Sequence, residues 1–358
     1  MKVLSLFDGM ACGMVAMQLA GMEVESYDAY EIDKYAIKTA QHNFPMIKEH
    51  GDVFGTDFTQ YEGVDFLIGG SPCTYWSIAQ TKNRETVASG MGWELFSQYV
   101  RALHEAKPKY FIYENNNSMS KDIRASIDEA FGFEAVLINS ALVSAQNRQR
   151  LYWVGKRNPD GTYSQVPVEQ PAGRGILLRD ILETGVAWNE KAYNLTTRCC
   201  GAIPEDTLKR HRHTMVAEPI NVTSDGKAQC LRSTCYKDGI RNIVGNDVDR
   251  KTGVAEPVKV ADVSNGGQGN RVYSVNGKEI SIYEVKDGKI TINGKQYPIK
   301  LKDGFYIIRK LTVSECKRLQ TVPEWYEFPV SDSQAYKMLG NGWTCEVIAH
   351  ILKSLKEA

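Results

Sequence analysis

Apolar positions in the first 157 residues come in short blocks that alternate between two periods. Lys2-Val3-Leu4-Ser5-Leu6-Phe7 predicts a strand, Asp8 to Gly13 a turn, and Met14 to Leu19 an apolar helix that Gly21 ends. Val24 to Glu31 predicts a second strand, after which Asp33 caps a helix running to about His42. Gly51-Asp52 lies beside a third strand position. The apolar run Val64 to Ile68 leads straight into Gly69-Gly70-Ser71-Pro72-Cys73. Trp93 to Ala106 places Leu95, Phe96, Tyr99, Val100 and Leu103 on one helical face. Tyr110 to Tyr113, Phe133 to Val143 and Leu151 to Val154 supply further strands. Strand and helix alternating in this way predict an α/β fold, a doubly wound Rossmann-like sheet.

From Asn158 the helical period stops. The region 158–308 is rich in glycine, asparagine and short alternating strands, and forms a separate, smaller, mostly β domain in this reading. Four turn signals, Asn276-Gly277, Asp287-Gly288, Asn293-Gly294 and Asp303-Gly304, predict an antiparallel meander. Helical periodicity returns at 309. Val313 to Leu319 predicts a helix with Cys316 and Leu319 inward, and the segment Ala335 to Trp343 is followed by an amphipathic helix to about Leu355. A terminal helix with that much apolar surface must pack back on the main sheet, so 1–157 and 309–358 are expected to form one domain.

Composition narrows the picture only slightly. With 358 residues, 42% of them hydrophobic, the chain has enough apolar material for a full core. The 43 basic residues balance 43 acidic ones, so nucleic-acid binding through overall charge is excluded and a local patch would be needed. Such a patch lies in Thr207 to Arg241, with Lys209, Arg210, Arg212, Lys227, Arg232, Lys237 and Arg241 among three acids. The eight cysteines contain no C-x-x-C pair, so neither a metal site nor a disulfide framework is expected. No apolar stretch reaches membrane-span length and Asp8 interrupts the first apolar run, so a cytoplasmic location is expected.

The candidate chemistry sits at strand ends. Cys73 follows a buried strand through a turn of two glycines and a proline, which positions a thiol. Glu114, at the end of Tyr110 to Tyr113, would reach the same edge, making an acid and nucleophile pair. Alternation puts Gln146, Arg148 and Arg150 on one face, where two guanidiniums suit a phosphate or an anionic intermediate. Glu31 ends the second strand, where a ribose is held in doubly wound folds, and Asp52 could accept from an adenine amine. With the turn at Asp8-Gly9, three strand ends point toward one adenosyl-type ligand. Residues 80–92, including Lys82 and Arg84, have no apolar period and read as a loop over the site.

These motifs together resemble the DNA (cytosine-5) methyltransferase family, of prokaryotic or phage type. LFDGMACG is similar to its cofactor loop, YEIDKYA to its ribose acid, GDV to its adenine acid and GGSPC to its nucleophile turn. FIYENN matches the strand of its catalytic glutamate, QNRQR its Q-x-R-x-R element, and RKLTVSECKRLQTVPE and MLGNGWTCEVI its two closing motifs. Three departures stand out: Ala11-Cys12 replaces two glycines, ENN replaces ENV, and Trp343 stands where a small aliphatic residue is more frequent.

The resemblance implies a class I methyltransferase sheet with 158–308 as the target-recognition domain, acting as a monomer on duplex DNA. It implies S-adenosylmethionine as methyl donor, held by Phe7, Asp8, Gly9, Glu31, Ile32, Asp52, Val53, Pro72, Asn341 and Trp343. It implies attack of Cys73 on C6 of a flipped-out cytosine, with Glu114, Arg148 and Arg150 stabilising the ring. Ser77, Lys82, Arg84, Arg210, Arg232, Lys237 and Arg241 are the expected DNA contacts, and no metal is required. An RNA cytosine-5 methyltransferase is disfavoured by the long target region. A non-catalytic DNA-binding regulator is disfavoured by the intact catalytic set. The recognition sequence, and the choice among partnership with a restriction endonuclease, phage self-protection and gene regulation, stay open.

Overall fold

A computed structural model describes residues 1–78, 84–197, 203–211, 213–220, 270–275 and 278–357. They form two compact units: Met1–Ile176 with Cys316–Ala358, and Leu177–Glu315. Both limits fall later in the chain than the composition break at 158 and the return of helical period at 309. One reason is that residues just beyond 158 continue the first sheet.

The first unit opens with β1 (Lys2–Leu6), α1 (Cys12–Leu19), β2 (Ser26–Tyr30), α2 (Lys34–Asn43), β3 (Lys48–Glu49) and β4 (Phe66–Gly69). It continues with α3 (Met91–Ala106), β5 (Tyr110–Asn116), α4 (Lys121–Phe131), β6 (Val136–Asn139), β7 (Gln149–Arg157) and β8 (Tyr163–Gln165). As expected, Asp33 caps α2, its carboxylate accepting from the Tyr35 amide. The strands run in the order β3-β2-β1-β4-β5-β7-β6, with β8 also on β7. β1 to β5 pair in parallel, whereas β7 is antiparallel to both β5 and β6. The stretch between β6 and β7 holds only a 3₁₀ turn, Ser140–Leu142, with no crossover helix, so β7 must run back.

Period-two alternation divides the strands between two helical layers. Leu4, Leu6, Leu67, Phe111, Tyr113, Leu151 and Trp153 share a core with Phe96, Tyr99 and Leu103 of α3 and Ile123, Ile127 and Phe131 of α4. Burying each large side chain of this kind stabilises by roughly 1.5–3 kcal/mol. Ile68, one residue out of phase, meets α1, where a Cβ on Gly13 would lie 2.3 Å from its Cδ1. Helices thus cover both faces, which is the doubly wound arrangement.

The second unit contains α5 (Leu178–Ile181), α6 (Pro204–Arg210), β9 (Met215–Ile220), β10 (Asn270–Val275), β11 (Lys278–Lys286), β12 (Lys289–Ile292), β13 (Lys295–Pro298) and β14 (Gly304–Lys310). Its sheet is antiparallel, in the order β13-β12-β11-β14-β9, with β10 on β11. Asp287-Gly288 (φ 51° and 66°) and Asn293-Gly294 (φ 50° and 75°) are left-handed at both positions, as two-residue hairpins between twisted strands require. The expected meander ends at β13. β14 instead returns to lie between β11 and β9, pairing Ile307 with Ile282. The turn signal Asn276-Gly277 lies outside the described residues.

At the end of this unit begins α7 (Val313–Leu319), with Cys316 and Leu319 buried as expected. The first unit is completed by α8 (Asp332–Asn341) and α9 (Cys345–Glu357), and α9 packs along α1. No helix among the described residues is long and apolar enough to cross a membrane, and no His, Cys, Asp and Glu group among them is arranged to hold a metal ion.

Candidate active site

β4 and β5 run side by side in parallel, with Gly69 opposite Tyr113, so their ends deliver Cys73 and Glu114 to one edge. The sequence suggests that the glycines serve a sharp turn, yet neither adopts a left-handed φ. They serve close approach. A Cβ on Gly69 would lie 2.5 Å from the Leu6 carbonyl oxygen, and one on Gly70 would lie 2.6 Å from that of Glu114 and 3.0 Å from Glu114 Oε2. Ser71 is buried, its hydroxyl 2.6 Å from that of Tyr113, and its carbonyl accepts from Asn115 Nδ2 at 3.2 Å. Exposed Pro72 then starts a 3₁₀ turn, Cys73–Tyr75, closed by the Ser77 amide on the Cys73 carbonyl at 2.9 Å. Partly exposed Cys73 is thereby fixed by its flanks. Burial pushes its thiol above the ordinary range, opposed chiefly by the guanidinium of Arg150.

Glu114 has a donor on each oxygen: Arg150 Nε lies 2.9 Å from Oε1, and Trp343 Nε1 donates to Oε2 at 3.0 Å. Arg150 is 8% exposed and also donates to the Gln149 carbonyl. Arg148, expected to share the reacting ring, is engaged differently. It is 2% exposed, and its guanidinium donates to the carbonyls of Gly340 and Gly342. Burial, then the neighbouring Arg150 charge, holds it down to about 10, so it stays cationic at neutral pH. Gln146 donates to the Leu319 carbonyl and Gln320 Oε1, so this third member of the face also holds structure.

The ends of β1, β2 and β3 gather carboxylates. Phe7 (φ 57°), Gly9 (φ 62°) and Ala11 (φ 59°) are left-handed, so the loop after β1 carries strain that favours glycine at a position where Ala11 stands. Glu31 Oε2 accepts from the Gly9 amide at 2.9 Å, and Oε1 accepts from those of Ile32 and Asp33. Ile32 itself is 75% exposed. Val53 is buried beside exposed Asp52, whose Oδ1 accepts from the Phe54 amide. Sequence reasoning missed Glu49, which β3 pairs opposite Ala29. Burial, then Asp8 and Glu31, raise it to about 8. Among the described residues, Glu49 Oε1 and Oε2 and Asp8 Oδ2 are buried without hydrogen-bond partners. Orphaned acceptors beside Glu31 fit a cationic, donor-rich ligand, as an S-adenosyl compound is.

Asp8 is held by the hydroxyls of Ser5 and Tyr27 at 2.5 and 2.6 Å on one oxygen, and burial raises it to about 6. A carboxyl whose folded value exceeds its ordinary 3.8 contributes stability below pH 4 that is lost as pH rises toward 6. Asp8→Asn keeps the accepting oxygen and removes the charge. It is therefore expected to raise the Tm of the ligand-free protein at pH 7.5 by a few degrees and to leave it unchanged near pH 4, as calorimetry at both pH values would show.

The segment after Cys73 is anchored through Glu85, another residue that composition does not mark. Its carboxylate accepts from Trp76 Nε1 at 3.0 Å and from the Gly92 amide at 3.1 Å, and its amide donates to the Tyr75 carbonyl. A Cβ on Gly92 would lie 2.6 Å from Trp76 Nε1. Arg84, expected on DNA, donates to the carbonyls of Trp76 and Ser118 instead, so it ties the segment to the site. Ser77 is half-buried beside the turn, Asn341 is exposed at the end of α8, and Arg210 is exposed on α6 of the second unit. The remaining expected DNA contacts, Lys82, Arg232, Lys237 and Arg241, lie outside the described residues.

A sheet in this order, with a thiol and a carboxylate on adjacent strand ends and acids clustered at the first three strands, is the α/β arrangement expected of a methyltransferase. The chain belongs to the C-5 cytosine-specific DNA methylase family, whose profile matches residues 1–357. It is thus a DNA (cytosine-5)-methyltransferase. Orphan methyltransferase M.SPRI of Bacillus phage SPR is 25% identical, over 99% of this chain and 97% of its own. Type II methyltransferase M.NlaX of Neisseria lactamica is 27% identical, over 100% and 96%. The crystal structure of the S. pombe Dnmt2 methyltransferase superposes with a TM-score of 0.53 at 15% identity, covering 99% of this chain and 98% of that one, and so shares the fold.

Proposed function

We propose that the enzyme methylates C5 of a cytosine turned out of duplex DNA, through a covalent bond between Cys73 Sγ and C6. The observation that carries this is the delivery of Cys73 and the doubly held Glu114 to one edge by adjacent strands. Cytosine C5 is a weak nucleophile. Addition of the Cys73 thiolate to C6 moves the C5–C6 electron pair onto C5, and a proton shared between Glu114 and N3 relieves the charge entering the ring. Arg150 steadies that carboxylate and lowers the energy of the adjacent thiolate, which burial alone would disfavour. After transfer, loss of the C5 proton restores the double bond and expels the thiolate. S-adenosylmethionine, when bound, supplies the electrophilic methyl group. Glu31 would hold its ribose hydroxyls and Asp52 its adenine amine, with Phe7 and Ile32 against the base and Asp8, Glu49 and the turn at Gly9 nearby.

The target base must leave the stack at a cost of a few kcal/mol, because neither ring carbon is reachable inside a duplex. Residues 158–308, with the basic run around Arg210 to Arg241, are proposed to choose the sequence. The test is covalent trapping. The wild-type protein with S-adenosylmethionine should form a denaturant-stable complex with duplex containing 5-fluorocytosine at its site, which bisulfite sequencing of an expressing host would identify. Methylation of tRNA with none of duplex DNA would overturn this reading in favour of an RNA enzyme.

A further inference from the structure

Trp343 departs from the family pattern, and the chain around it is held by several side-chain hydrogen bonds. Arg148 donates to the Gly342 carbonyl at 2.8 Å and, from both terminal nitrogens, to that of Gly340 at 3.3 Å. Gln320 Nε2 donates to the carbonyls of Leu339 at 2.6 Å and Gly342 at 3.1 Å, and its Oε1 accepts from Thr344 Oγ1 at 3.0 Å. A Cβ on Gly342 would lie 3.1 Å from both Cys12 Sγ and the Met338 carbonyl oxygen, so the segment lies flush against α1 and α8. Two buried side chains therefore fix the backbone from which the indole N–H reaches Glu114 Oε2.

The last torsion of a glutamate is broad and nearly two-fold, so Arg150 on one oxygen leaves the plane of the carboxylate free to turn. A second donor on the other oxygen removes that freedom. Gly70 leaves the room this orientation needs, since a Cβ there would come within 3.0 Å of Oε2. We infer that Trp343 is a positioning residue: its indole N–H, aimed by Arg148 and Gln320, holds the Glu114 carboxylate in the one orientation that meets the pyrimidine beside Cys73. This rests on the proposed function and gives Arg148 a role behind the reacting groups, not on the base.

Trp343→Phe keeps the ring and removes the donor. The indole N–H is engaged by Glu114, and the phenyl ring keeps the apolar face expected against S-adenosylmethionine. Single-turnover methylation of cognate duplex at saturating S-adenosylmethionine should therefore fall about tenfold, the scale of a small misplacement of a catalytic group, a loss larger than any rise in the Kd for S-adenosylmethionine. In a Glu114→Ala background the same substitution should lower the residual rate less than twofold, because no carboxylate remains to orient. Trp343→His, which retains a ring N–H, should recover part of the rate at unchanged Tm. Equal losses in both backgrounds, a rise in cofactor Kd that accounts for the loss, or a histidine variant no better than phenylalanine would each overturn the inference. Failure of the wild-type protein to methylate duplex DNA would instead overturn the proposed function.

Discussion

Cys73→Ser is expected to abolish trapping on 5-fluorocytosine duplex and to lower methyl transfer by a factor on the order of 10⁴ or more, the scale seen when a nucleophile is removed from a cooperating set. A hydroxyl in the same place has almost no anion at neutral pH, and the surroundings that already push the Cys73 thiol upward would disfavour an alkoxide still more. The fold should be indifferent. The turn is held by Ser71, by Asn115 and by the Ser77 amide, none of which uses the sulfur, so Tm should stay within about 2 °C. One accompanying result separates thiolate chemistry from simple binding. Because the thiol is raised, the thiolate fraction grows throughout the neutral range, and the wild-type single-turnover rate should climb with pH from 7 upward. A serine variant that methylates at the wild-type rate would rule out the nucleophile.

Features that depend on near neighbours in sequence were legible. The apolar run before Gly69, the Asp33 cap and the two Asx-Gly hairpins follow from local periodicity and φ preferences, and the structure forms them where expected. The strand ends carrying Cys73, Glu114 and Glu31 were legible for the same reason. What composition could not show was which charged groups the fold uses internally. Arg84 and Arg148 read in sequence as contacts to DNA and to the reacting ring, yet carbonyls brought from 34 and 194 residues away accept from them. No local pattern marks Glu49, and only its register opposite Ala29 puts it among the acids of the first two strands. Gly69 and Gly70 signalled special backbone correctly but for the wrong reason, since a clash with a neighbouring strand leaves no trace in the chain itself.

Arg309→Met is expected to destabilise the second unit by about 3–5 kcal/mol, the usual result of stripping the partner from buried charges. Arg309 is 9% exposed, between two carboxylates with side chains 0% exposed, Glu218 and Glu315. Its Nε meets Glu218 Oε1 at 2.6 Å, while Nη1 and Nη2 take the two oxygens of Glu315 at 2.8 and 2.9 Å, and Nη2 also donates to the Thr184 carbonyl. Glu315 is at the same time half of a reciprocal cap on α7: its Oε2 accepts from the Thr312 amide, and its own amide donates to Thr312 Oγ1. One guanidinium thus ties β9, β14 and the start of α7, and without it two anions stay buried with little compensation. A methionine fills most of the space, so a loss of this size cannot come from a cavity. The control is Arg309→Met combined with Glu218→Gln and Glu315→Gln, which removes both charges and should recover more than half of the lost stability in denaturant melts. If the triple variant is no more stable than the single one, the guanidinium matters for shape and hydrogen bonding, and charge compensation is not what holds this unit together.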